Sequence, residues 1–176
     1  MACNPVALPI VTADFCAPDI NFGEVDKIFL GNPGNPFTDW TDLAEWTARL
    51  DNADIVDAAT IRTLHIIGDK PAPEKNKVDF SQGRSVYTDP KHTLNISIDE
   101  TGDDNYALIQ FLEDNAGQTL QMWYQAGKYL YGGNEGIAAV LTLDDIIPGS
   151  TEELNTFKGV ASWEGSHPDR ILNPMA

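Results

Sequence analysis

Strict alternation of apolar and polar residues is what most narrows the folds open to this chain. In residues 93–98 (TLNISI), Leu94, Ile96 and Ile98 fall on one face and Asn95 and Ser97 on the other, the two-residue period of a half-buried strand. Residues 119–126 repeat the pattern, with Leu120, Met122, Tyr124 and Ala126 on one face and Gln121, Trp123 and Gln125 on the other. Further strands are predicted at residues 25–30, 60–67 (TIRTLHII), 128–131, 137–146 and 154–163, with a hairpin over 78–88 turning at Gln82 and Gly83. Two segments carry helical spacing instead. The first runs from Asp39 or Thr41 as N-cap to about Asp51, with Leu43, Trp46 or Thr47, and Leu50 recurring on one side. The second covers about 105–114, capped by Asp103 or Asp104, with Leu108, Phe111 and Leu112 inward. The expected fold class is mainly β: a two-sheet β-sandwich or barrel with one or two flanking α-helices.

Residues 1–24 form an expected extended N-terminal arm, because Pro5, Pro9 and Pro18 forbid a long helix and are poorly placed in central strands. The remainder, 25–176, is long enough for a single β-rich domain. The start of the chain lacks a basic region followed by an apolar run, so it is expected to begin near Met1 inside a cell, without a signal peptide or membrane span. Cys3 and Cys16 lie in the arm at a spacing that suits neither a redox pair nor a zinc half-site; two free thiols are expected, with a bridge closing the arm as the alternative.

Little chemistry is legible. His65, His92 and His167 are far apart in sequence and none sits in a nucleophile motif. The duplicated GNPGNP at 31–36 reads as two tandem turns, since no Lys-Ser/Thr follows as in a phosphate loop. The acidic turn DETGDD offers Asp99, Asp103 and Asp104 as weak calcium ligands, but it lacks the order of an EF-hand, and a solvated helix-capping turn is the plainer reading. Adjacent carboxylates at Asp144-Asp145 and Glu152-Glu153 point to opposite faces of a strand, whereas a glycosidase needs two facing each other across about 5 to 9 Å. Asn95-Ile96-Ser97 matches a glycosylation sequon only formally. The reading is therefore non-enzymatic, with no cofactor and no metal. Trp123 stands on the polar face of its strand between Gln121 and Gln125; exposed there it would mark a contact surface, which makes it a candidate contact residue.

Charge carries more information. Asp and Glu number 27 against 11 Lys and Arg, a net charge of -16, which repels nucleic acid and anionic membranes. Between Lys91 and Lys158 lie eleven acids and a single base, Lys128, mostly at strand ends and turns. The loop at 68–77 runs the other way, carrying Lys70, Lys75 and Lys77.

The strand HTLNISID, the helix NYALIQFLED, the strand TLQMWYQA and the hairpin sequence YLYGGNEGIAAVLTLDD followed by TFKGVASWEG resemble the β-rich body of bacteriophage tail tube proteins, a fold shared with the inner tubes of contractile injection systems. The resemblance covers about residues 91–174. It implies a two-sheet sandwich assembled as six-fold rings whose inner sheets join into a closed barrel, so that every strand edge finds a neighbour. It further implies a virion protein assembled in the host cytoplasm, partnered by its own copies and other virion proteins, with DNA passing through an acidic, non-sticking lumen. On that reading Asp144, Glu152 and Glu153 are the lumen-facing candidates, and Lys70, Lys75, Lys77 and Trp123 the inter-subunit contacts. The alternatives are a capsid decoration or head-tail connector protein, and a monomeric β-sandwich binding module for calcium or carbohydrate.

Overall fold

The computed structural model describes residues 23–51, 58–75, 77–80, 83–150 and 152–175. The N-terminal arm up to residue 22, with Cys3 and Cys16, lies outside them, as does Gln82 of the expected hairpin turn.

Among the described residues, ten strands and two helices follow in the order β1 (Val25–Gly31), α1 (Leu43–Arg49), β2 (Ile61–Asp69), β3 (Lys77–Phe80), β4 (Arg84–Tyr87), β5 (Lys91–Ile98), α2 (Asp103–Asp114), β6 (Thr119–Ala126), β7 (Tyr129–Tyr131), β8 (Ile137–Ile146), β9 (Thr156–Glu164) and β10 (Arg170–Leu172). Six strands pair antiparallel in the order β1-β2-β5-β9-β8-β6, and β6 pairs again with β1, Ile28 opposite Tyr124, so the sheet closes on itself. The mainly β expectation holds, with two helices. Of the sandwich and the barrel, the structure has the barrel: β6 is bonded along both edges, and one sheet closes on itself with six strands. β7 continues the wall beside the last residues of β6, and β10 pairs with β7.

Alternation then sorts the side chains. Leu94, Ile96 and Ile98 of β5 point inward, as expected, and meet Met122 and Tyr124 of β6, Leu141 and Leu143 of β8, Phe157, Ala161 and Trp163 of β9, and Leu64 and Ile66 of β2 in one continuous core. The interior is filled by these side chains and is no conduit. A register shift between Val25 and Lys27 changes the parity of β1, which lets both Val25 and Ile28 face that core.

Both helices start later or earlier than their acids suggested. Asp39 is not the cap of α1, because its carboxylate accepts from the backbone N–H and Oγ of Thr41 (2.9 and 2.6 Å) and folds a tight turn instead. Asp42 is the cap, accepting from the N–H of Ala44 at 2.9 Å. Glu45 reaches back to the N–H groups of Thr38 and Asp39 and pairs with Arg49 at 2.6 Å; although burial favours its neutral form, these partners win and hold its carboxyl below the usual range. In α2 the cap is Gly102, without a side-chain bond, and Asp103 and Asp104 sit one step inside, in the first turn where the helix dipole favours acids. The three-residue β10 was not anticipated by any pattern.

Candidate functional site

Trp123 corrects the sequence reading most sharply. It is wholly buried, not exposed. The connection from β1 to β2 folds down over the outer wall of the barrel, bringing Phe37, Trp40 and Trp46 against Phe29, Ile61 and Trp123 in a second core outside the first. Rings of Phe37 and Trp46 meet Trp123 edge-on at 5.3 and 5.6 Å. Its Nε1–H donates to the Gly133 carbonyl at 2.8 Å, which satisfies the one polar atom taken out of water. The turn GGNEG is glycine-rich for the same reason: a Cβ on Gly136 would come within 2.8 Å of the indole, and one on Gly132 would overlap it. As a free contact residue Trp123 is eliminated.

Strand direction gives the barrel two mouths. β1, β5 and β8 run one way and β2, β9 and β6 the other, so the start of β5 and the end of β2 share a mouth, and the ends of β5 and β8 share the opposite one.

At the first mouth His92 is fully buried, stacked on Trp163 (centroids 5.2 Å apart, planes within 4°) and met edge-on by His167 at 5.1 Å. One ring nitrogen, Nε2, lies 3.1 Å from the Gly165 carbonyl. Lys70 places its ammonium 5.7 Å above the Trp163 ring, and burial pulls its pKa down. Beside them an open cleft of about 750 Å³ is lined by Gly68, Lys70, Tyr124, Tyr131, Lys158 and His167. Burial pushes the Tyr124 hydroxyl far above its ordinary pKa, and the neighbouring Tyr131 adds to the rise.

Burial also holds His92 below its usual pKa of 6.5; the Gly165 carbonyl opposes this, and Lys70, His167 and Lys75 reinforce it. The unfolded chain therefore takes up this proton at a higher pH than the folded one. Stability from the neutral ring is complete above about pH 6.5 and falls as the pH drops through that value. Thermal melts between about pH 7.5 and about pH 5.5 should show this decline in the parent and a flatter curve in His92→Phe; equal slopes would refute the assignment.

From this same mouth projects the β3–β4 hairpin, which forms a sheet of its own. The expected hairpin is there, and all eight of its strand residues are exposed. Register places Val78 opposite Val86 and Phe80 opposite Arg84, so Val78, Phe80 and Val86 share one face, 43 to 56% exposed. Lys77, Asp79, Ser85 and Tyr87 occupy the other, where Lys77 pairs with Asp79 at 2.8 Å. Lys75 stands at the hairpin base beside the Glu74–Lys91 bridge.

The opposite mouth is acidic. α2 lays Leu108, Ile109 and Leu112 on the barrel core and turns its acids outward. Asp144 lies on the outer face of β8, alternating with the buried Leu143, while Glu152 and Glu153 are exposed in the connection to β9. The same connection exposes Ile147 and Leu154, at 70 and 79%, next to a partly exposed Ile146. Asp99, Asp103 and Asp104 are exposed, and among the described residues no three acidic, His or Cys side chains gather as a metal site. Nor, among those residues, is any helix long and apolar enough to cross a membrane.

The sequence groups Lys70, Lys75 and Lys77 in one loop but gives no sign of the cluster around His92, whose members His92, Trp163 and His167 come from β5, β9 and the connection after β9. The run DDII, followed by EEL, did carry a usable signal: apolar residues in a polar connection, flanked by acids. Compared with known proteins, the chain matches no protein-family model, no curated protein and no solved structure.

Proposed function

We propose that this chain is a self-associating structural subunit, most concretely a virion tail tube protein that assembles as six-fold rings around a DNA conduit, in the host cytoplasm and then within the virion. The observation that carries the reading is the free-standing hairpin. Two strands alone are marginally stable in water, and among the described residues Val78, Phe80 and Val86 stay 43 to 56% exposed on one face of a hairpin that pairs with no strand of the barrel sheet. Such a face gains stability only when a partner covers it. The barrel itself needs none, because closure has already paired the edges of its strands. Ring number and DNA passage come from the tail tube resemblance, and a net charge of -16 suits a surface that DNA must pass without sticking.

Negative-stain microscopy of the purified protein tests the reading. Rings or tubes with six-fold symmetry are expected. Rings of another number would move the role to a connector, binding to preformed capsids would move it to decoration, and a strict monomer at every concentration would refute self-association. Titration calorimetry with calcium and with glycans is expected to show no heat of binding; saturable heat would favour a monomeric binding module.

A further inference from the structure

The two mouths differ in charge as well as in shape. Segments 99–118 and 144–155, which leave the α2 mouth, hold ten acids and no base; segment 70–91, which leaves the other, holds Lys70, Lys75, Lys77, Arg84 and Lys91 against three acids. Each mouth also exposes an apolar surface: Val78, Phe80 and Val86 on the basic hairpin, and Ile146, Ile147 and Leu154 on the acidic connection. Resting on the self-association reading, we infer that copies dock head to tail, the basic hairpin of one seated on the acidic, apolar connection 144–154 of the next.

Complementarity selects this arrangement over the alternatives. A symmetric dimer through the connection would oppose Asp144, Asp145, Glu152 and Glu153 to themselves, and one through the apolar face of the hairpin would oppose Arg84 to itself. Head to tail, each apolar patch covers the other while Arg84, which shares the patch face of the hairpin, meets carboxylates of the connection; Lys77 lies on the opposite face, paired with Asp79. Because the two patches are different surfaces on one chain, the contact leaves one of each free at every step and propagates into a ring or a filament. Asp144, Glu152 and Glu153 then neutralise a neighbour's cations instead of facing passing DNA.

Charge reversal on each side separates this inference from the broader reading. Lys75→Glu/Arg84→Glu and Glu152→Lys/Glu153→Lys change exposed side chains that form no salt bridge among the described residues, and circular dichroism should match the parent. Sedimentation velocity is expected to show the parent assembled, with association weakened by added salt, and each variant alone weakened about tenfold or more. Mixing the two variants in equal amounts is expected to restore assembly, since reversed hairpin then meets reversed connection. A parent that assembles while either variant assembles equally well, or a mixture that stays dissociated, overturns the head-to-tail contact and leaves self-association standing. A parent that remains monomeric at every concentration overturns both.

Discussion

Trp123→Ala should lose about 3 to 5 kcal/mol of folding stability, the range for removing a buried Trp, and should be the most damaging truncation in the outer core. Three losses act together. The ring has no exposed surface, so its full apolar area returns to water on unfolding and a cavity replaces it in the variant. Its edge-on contacts with Phe37 and Trp46 hold the β1–β2 connection against the barrel wall. Its Nε1–H bond to Gly133 fixes the turn that β7 and β8 share. Ala leaves that carbonyl without its indole partner and leaves the backbone of Gly132 and Gly136 facing a void. Urea denaturation measures the cost. Trp123→Phe keeps part of the packing and should lose less, which keeps the test readable if the Ala variant does not fold. A midpoint for Trp123→Ala that implies less than about 1 kcal/mol would contradict the account of the outer core.

Gly159→Ala should be nearly as costly, about 3 kcal/mol, at the upper end of overpacking penalties. Gly159 lies in β9 between two partners, Leu143 of β8 and Ile96 of β5. A Cβ there would overlap the carbonyl oxygen of Thr142 and come within 2.8 Å of the Leu143 Cα. These are backbone atoms in a hydrogen-bonded ladder, so no side chain can swing aside to make room. A barrel of only six strands curves tightly, and a strand position without a side chain is where two backbones can close up. Equilibrium unfolding of Gly159→Ala beside Gly149→Ala gives the comparison, because a Cβ on Gly149 meets nothing within 4 Å. Equal midpoints for the two variants would show that the close approach at Gly159 relaxes freely.

Much of the strand layout was legible because burial on one side imposes period two. The limits of β6 and β8 agree with the alternation in TLQMWYQA and IAAVLTLDDI, and the inward faces of β5 and β6 are those the pattern assigns. What failed was the assumption that the second face of β6 meets water. Trp123 is buried there because residues some eighty positions earlier, Phe37 to Trp46, fold over it, and periodicity within one strand carries no information about a distant cover. Closure was illegible for a related reason. The pairing of β1 with β6 joins segments about a hundred residues apart, and either edge of β6 could have stayed open on the local pattern alone. Local competition explains the helix caps: Asp39 bonds to Thr41 before it can serve α1. The charge was visible as an excess from the start. Its concentration at one mouth became visible only with the strand directions, which decide that the acids of α2 and of the β8–β9 connection leave together and that Lys70, Lys75 and Lys77 leave at the opposite end.

Self-association is the claim on which the functional account rests, and native mass spectrometry of the purified chain counts subunits directly. Over a concentration series the account predicts particles in multiples of six chains growing at the expense of monomer. Monomer alone throughout that series would contradict it.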